Sequence, residues 1–146
     1  MLSVTSYPPE FIDGCRERVR DQVSAYRDLE DAARAAAGAG GDAGLDAAFA
    51  AFAPQFFNTL VLVLDASFVH RARGKEGKDG NPMNEVRVLC TSLLEHGGVL
   101  TADKQIKLKA ATSVLHLEAG DPIALTEADF GRLADAYFDA IAGTYG

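Results

Sequence analysis

Residues 54–73 read PQFFNTLVLVLDASFVHRAR, and this stretch decides the fold. Apolar residues occupy most faces of a helix built from it, and Asn58, Asp65 and Arg73 form a thin polar stripe. A helix that is apolar on most faces lies at the centre of a bundle or at an oligomer interface. The sequence therefore predicts a helix over 54–73 in one of these two places.

The chain before this helix is predicted to hold a second long helix. Pro8 and Pro9 open it, because proline suits the first helical turn, and apolar residues at helical spacing carry it over 9–36. Residues 1–8 are predicted to be a loose tail, and the Ala/Gly-rich residues 37–44 a flexible connector. A short helical pattern then runs from Leu45 to Ala53, where Pro54 is expected to break or kink it.

The chain after this helix is predicted to contain two more helices. Asn81 and Pro82 are typical of a helix start, and Gly97-Gly98 of its end. Thr126 and Asp129 form a capping-box pattern for a final helix that Gly143 ends. Between them the helical period is lost, which predicts a small β-hairpin between residues 99 and 125. The prediction is a single mainly-α domain over 1–146, a bundle of four to five helices with one hairpin.

Composition narrows the class of protein. The 146 residues carry a net charge of −7, and such an acidic surface disfavours nucleic acids and anionic membranes. The longest apolar run, Leu60 to Leu64, is shorter than the ~20 residues of a membrane span, and the first residues lack a signal-peptide pattern. We therefore expect a cytoplasmic protein without a membrane role. The Ala, Gly, Asp and Arg bias suggests a bacterial source.

The segment 70–87, HRARGKEGKDGNPMNEVR, is the first candidate site. It is a basic, glycine-containing loop that leads into a helix N-terminus, where free N–H groups favour an anion. Neither the P-loop pattern nor the dinucleotide fingerprint is present. A solvated connector and a protein contact are the alternatives. The residues predicted to hold a small anion are Arg71, Arg73, Lys75, Lys78, Asn81, Asn84 and Arg87.

Other chemistry is not indicated by the sequence. Glu76, Asp79 and Glu85 carry oxygen ligands, but their spacing does not fit a calcium loop. The histidines and the cysteines, Cys15 and Cys90, match no metal-ligand spacing, and no nucleophile motif is found. We predict no metal and no cofactor, and the sequence leaves open whether the protein is an enzyme.

Asp65 is a charged residue in a strongly apolar helix, and such a residue usually has a partner. Arg73 lies two turns further along, and Arg87 lies on the next predicted helix. We therefore predict a structural polar clamp of Asp65, Arg73 and Arg87.

Two functional hypotheses follow. The leading one is a small non-enzymatic protein-interaction module that forms a homodimer, because the helix at 54–73 has apolar residues on more faces than one neighbour covers. The alternative is a binding protein or enzyme for a small anionic metabolite at segment 70–87.

Overall fold

The computed structural model describes residues 2–146 and confirms the mainly-α prediction. Its helices are α1 (Pro9–Ala37), α2 (Ala43–Ser67), α3 (Pro82–Glu95) and α4 (Glu127–Tyr145), with one 3₁₀ turn at Arg73–Glu76. The helix α2 contacts each of the other three helices. It is therefore the central helix of the bundle, one of the two places that its apolar pattern allows.

Pro54 lies inside α2 and does not break it. Proline removes one backbone donor, so the carbonyl four residues earlier loses its helical partner. Phe49 and Phe57, on either side of Pro54, are both buried in the same core. Their burial keeps the two halves of α2 in one continuous helix, so of the two predicted effects of Pro54 the break does not occur.

The helix α2 also ends earlier than predicted, at Ser67 and not at 73. Phe68 leaves the helix with a φ of −130° and is itself buried. Arg71, three residues later, turns back into the protein interior. The helix ends at this point because the Phe68 and Arg71 side chains both turn into the protein interior.

The starts of α3 and α4 are as predicted. The Asn81 side chain accepts a hydrogen bond from the Asn84 N–H at 3.1 Å, and Pro82 is the first residue of α3. Thr126 and Asp129 form the reciprocal capping box of α4. The end of α4 differs, since the helix continues past Gly143 to the buried Tyr145.

The hairpin predicted between residues 99 and 125 is not confirmed, and residues 2–146 contain only isolated β-bridges. Val99 bridges Pro122, and Lys107 bridges Asp79 outside the segment. His116 has a φ of +56°, which an extended strand does not allow. Val114 and Leu115, within the predicted hairpin, are instead held in irregular backbone by Glu85 of α3.

The N-terminal segment is tied to the bundle, in contrast to the predicted loose tail at 1–8; its first residue lies outside the described range. The Val4 N–H donates to the His70 carbonyl at 2.9 Å, and the Ala72 N–H donates to the Val4 carbonyl at 2.8 Å. The Tyr7 N–H donates to the Tyr145 carbonyl at 2.8 Å. This segment thus joins the end of α2 to the end of α4.

The Ala/Gly connector is shorter than residues 37–44, because α1 ends at Ala37 and α2 begins at Ala43. Asp42 caps α2 by accepting a hydrogen bond from the Leu45 N–H at 3.1 Å. Gly38 and Gly41 have positive φ values of 84° and 70°, which glycine adopts readily. The mobility of this connector stays a prediction.

Among residues 2–146, α2 alone is long and apolar enough to cross a bilayer by length and composition. The apolar part of α2 is longer than the run Leu60 to Leu64 alone indicates. The central helix of a water-soluble bundle has the same two properties, so the finding is weak support for a membrane span.

Candidate functional site

Arg71 and Glu76 form a buried ion pair at the end of the bundle. Their side chains are 0% and 1% exposed, and the Arg71 Nε donates to the Glu76 Oε2 at 2.8 Å. Arg71 Nη1 also lies 3.0 Å from Asp65 Oδ1. A buried charge is tolerated only when it is paired. The first arginine of the predicted anion loop is therefore already neutralised inside the protein.

Tyr145 completes this buried cluster from α4. Its hydroxyl lies 2.7 Å from Glu76 Oε2, to which it donates, and 2.9 Å from the Ala72 carbonyl oxygen. Burial and the hydrogen bond with Glu76 raise the pKa of the Tyr145 hydroxyl. The hydroxyl thus remains protonated and helps to hold the carboxylate in place.

Three buried atoms of the cluster have no hydrogen-bond partner among residues 2–146: Arg71 Nη2, Arg73 Nη1 and Glu76 Oε1. Unsatisfied buried polar atoms carry a desolvation penalty of roughly 1–3 kcal/mol each. The direct ionic contacts must offset this penalty, so the loss of one partner has a large effect.

The structure places one arginine of the predicted clamp beside Asp65 and the other elsewhere. Arg73 Nη2 lies 3.2 Å from Asp65 Oδ2, as predicted. The second partner of Asp65 is Arg71, whereas Arg87 on α3 lines a groove with His96 and Asp103. The turn after α2 brings Arg71 back onto the helix it has just left, which the continuous helix predicted for 54–73 does not allow.

The other residues predicted for an anion site have structural contacts. Lys75 Nζ donates to the carbonyl oxygens of Thr5 at 2.7 Å and Thr144 at 2.9 Å, and so links the two termini. Asn84 is buried and donates to the carbonyls of Gly77 at 3.2 Å and Asp79 at 2.8 Å. Much of segment 70–87 therefore folds on itself and does not face a ligand.

Glu85, considered as a metal ligand, is a buried anchor for the segment after residue 99. Its Oε1 accepts from the Val114 N–H at 2.8 Å, and its Oε2 accepts from the Leu115 N–H at 3.0 Å. Burial raises the pKa of Glu85, and the two backbone donors oppose that rise. These contacts hold residues 114–115 in the irregular conformation that replaces the predicted hairpin.

Lys78 and Asn81 of the predicted set line an open cleft. This cleft has a volume of about 610 Å³ and is also lined by Lys107 and Lys109. The Lys107 N–H donates to the Lys78 carbonyl at 2.7 Å, which fixes the two backbones side by side. None of these lysines forms an ion pair with the described residues. Sequence reasoning missed Lys107 and Lys109 because they are remote from segment 70–87, although their alternate spacing on extended backbone places them on one side.

The solvent side of α2 is the second candidate site, and we call it the α2 outer face. Its residues are spaced at three and four, so they share one side of the helix. None of them is charged, in a helix whose charged residues are Asp46 and Asp65. All are exposed or half-buried. The face consists of Ala48, Ala51, Phe52, Gln55, Phe56, Thr59, Leu62, Val63 and Ala66.

Two grooves flank the α2 outer face. The groove toward α1 has a volume of about 380 Å³ and is lined by Val63 together with Val19 and Gln22. The groove toward α3 has a volume of about 340 Å³ and is lined by Leu62 and Leu93. A helix-sized ridge between two grooves is the shape that packs against another helix.

Comparison with known proteins does not identify a family for this fold. The chain matches no protein-family model, no curated protein and no solved structure. Within residues 2–146, no group of three or more His, Cys, Asp or Glu side chains is arranged to hold a metal ion. The two candidate sites are therefore judged by their own chemistry.

Proposed function

We propose that this protein is a small non-enzymatic helical interaction module that forms a homodimer through the α2 outer face. The observation that carries the proposal is the absence of charge from this exposed face. By contrast, the exposed positions of α1 carry many ionised side chains, among them Arg20, Asp28 and Asp31. A long uncharged helix face on an acidic protein indicates a contact surface.

The composition of the face favours burial. Phe52 is 43% exposed and Val63 is 41% exposed, and burying apolar area contributes roughly 25 cal/mol per Å². The polar members of the face are already satisfied within their own helix. Thr59 Oγ1 donates to the Gln55 carbonyl at 2.8 Å, and Gln55 Nε2 donates to the Ala51 carbonyl at 3.4 Å. Their burial in an interface therefore leaves few unsatisfied groups.

A membrane is a less suitable partner for the same face. Helices that lie on membranes carry Lys and Arg on their polar side. The helix α2 contains neither of these residues, and its charged residues are Asp46 and Asp65. The net charge of −7 adds repulsion from anionic lipids.

The first prediction compares two valines that are both exposed. Val63→Glu places a charge on the α2 outer face, whereas Val69→Glu places one on a side chain that is 56% exposed and lies beyond the end of α2. Light scattering should give twice the 15.5 kDa chain mass for the wild type and for Val69→Glu. Val63→Glu should be monomeric with unchanged circular dichroism. A monomeric wild type at micromolar concentration would exclude the dimer.

The second candidate function is the binding of a small anion in the lysine cleft. Lys78, Lys107 and Lys109 supply positive charge without an ionic partner, and this observation favours the cleft over the rest of segment 70–87. Asp79 also lines the cleft, but its Oδ1 accepts a hydrogen bond from Asn81 at 2.9 Å. A phosphate or carboxylate group is the chemistry that such a site would take.

The second prediction tests this cleft with inorganic phosphate. Phosphate should raise the melting temperature more than chloride does at equal ionic strength, because it binds the folded state. The double change Lys107→Ala, Lys109→Ala should remove the difference. Lys104→Ala, an exposed lysine outside the cleft, should keep it. Equal stabilisation of all three proteins would mean that phosphate acts by exclusion from the surface.

A further inference from the structure

We infer that the two copies pair their α2 helices antiparallel, with the two-fold axis passing near residue 57. This inference rests on the proposed function and adds the geometry of the interface. It draws on the spacing of the α2 outer face, on the sizes and polarity of its residues, and on the grooves beside it.

The α2 outer face has the seven-residue spacing of a coiled coil. Phe52, Thr59 and Ala66 form one row at intervals of seven, and a second row at the same interval consists of Ala48, Gln55 and Leu62. Two such rows, three residues out of step, are the a and d positions of a heptad. Helices with this pattern pack at a shallow angle of about 20°.

The antiparallel arrangement sets the first row against the second row of the other copy. Phe52 then lies opposite the partner's Leu62, and Thr59 opposite the partner's Gln55. Ala66 lies opposite the partner's Ala48. Large apolar residues meet each other, polar residues meet each other, and small residues meet where the helices approach closely.

The parallel arrangement is less favourable for the same residues. It places each member of a row beside its own copy, so that Gln55 lies beside the partner's Gln55 and Phe52 beside the partner's Phe52. It also aligns the dipoles of the two α2 helices, whereas antiparallel packing opposes them.

The α2 outer face alone is smaller than a stable interface, so the inferred dimer also uses the flanking grooves. Ala48 to Ala66 spans about 27 Å at 1.5 Å per residue, and a helix is about 11 Å wide. The face therefore covers roughly 300 Å² in projection, whereas a stable interface buries about 800 Å² per partner. The groove residues Gln22 on α1 and Leu93 on α3 supply further contact area.

The experiment that tests the inference uses two single-cysteine additions at small positions of the face, Ala48→Cys and Ala66→Cys. The native thiols do not interfere, because Cys15 and Cys90 are buried, and burial raises the pKa of Cys90 to about 12. Purified Ala48→Cys is mixed with a size-tagged Ala66→Cys and oxidised at micromolar concentration. We expect the mixed disulfide as the main cross-linked product.

The other outcomes are distinct from one another. Same-variant disulfides as the main product would overturn the antiparallel geometry and leave the dimer intact. A wild type that is dimeric by light scattering but gives no cross-link at either position would move the interface away from α2. A monomeric wild type would remove the proposed function itself. Ala119→Cys, in an exposed loop outside α2, measures the cross-linking by random collision.

Discussion

Arg71→Met is expected to lower the free energy of unfolding by about 3–5 kcal/mol, because it leaves a buried carboxylate without its cation. Glu76 would keep only the Tyr145 hydroxyl as a side-chain donor, at 2.7 Å. Methionine preserves most of the volume, so the loss reports the charge and not a cavity. Urea unfolding followed by circular dichroism measures the change. Arg73→Met is the matched control with a smaller expected effect, since Asp65 keeps Arg71 at 3.0 Å.

The double variant Arg71→Met, Glu76→Gln separates pairing from packing. Removal of both charges leaves no isolated ion, so this protein should be more stable than Arg71→Met alone. A loss for Arg71→Met within about 0.5 kcal/mol, the range of surface substitutions, would mean that the cluster is hydrated in solution. Equal losses for the single and the double variant would show that the ion pair itself contributes little.

Glu85→Ala is expected to cost on the order of 3–6 kcal/mol, the sum of two hydrogen bonds to a charged group at roughly 1.5–3 kcal/mol each. The substitution should also loosen the structure around residues 114–115, because the Glu85 carboxylate holds the Val114 and Leu115 N–H groups. Hydrogen exchange at these two amides should increase more than elsewhere. Glu95→Ala, at the exposed end of the same helix, should change neither quantity.

The pH dependence of stability gives a second measurement on Glu85. Burial raises its pKa in the folded protein above the ordinary value of 4.5, so the folded state binds the proton more tightly than the unfolded chain. The contribution of Glu85 to the free energy of unfolding is therefore fully present below pH 4.5. It decreases as the pH rises through the pKa that Glu85 has in the folded protein. Glu85→Gln, which stays neutral, should lack this decrease. An identical slope in both proteins would mean that the pKa of Glu85 is not raised.

The start of each later helix could be predicted from the sequence because capping is local. The Asn81 cap and the Thr126–Asp129 box each join residues three positions apart, and the donors and acceptors lie on consecutive turns. The central position of α2 could also be predicted, since residues that are apolar on most faces have few other places to be buried. The cytoplasmic location, the bacterial source and the homodimer remain predictions.

The candidate sites could be predicted only in part. Lys78 faces the open cleft, but its companions Lys107 and Lys109 come from a segment almost 30 residues away. The uncharged side of α2 was visible as an apolar excess, yet the sequence did not show which residues the other helices leave uncovered. The residues that lie next to Lys78 and to α2 in space depend on turns of the chain, which a local sequence pattern does not predict.

By itself, the sequence determined the helical class, the starts of α3 and α4 and the scarcity of charge along α2, because each depends on residues a few positions apart. Only the tertiary structure decided that Arg71 is buried and that Glu85 binds backbone N–H groups 29 and 30 residues away. A basic residue in a glycine-containing loop is exposed by default, since burial of a charge is costly. Arg71 is buried here because the turn after α2 places it beside the carboxylates of Asp65 and Glu76. The burial of Arg71 therefore depends on contacts between elements, and it removes this arginine from the predicted anion site.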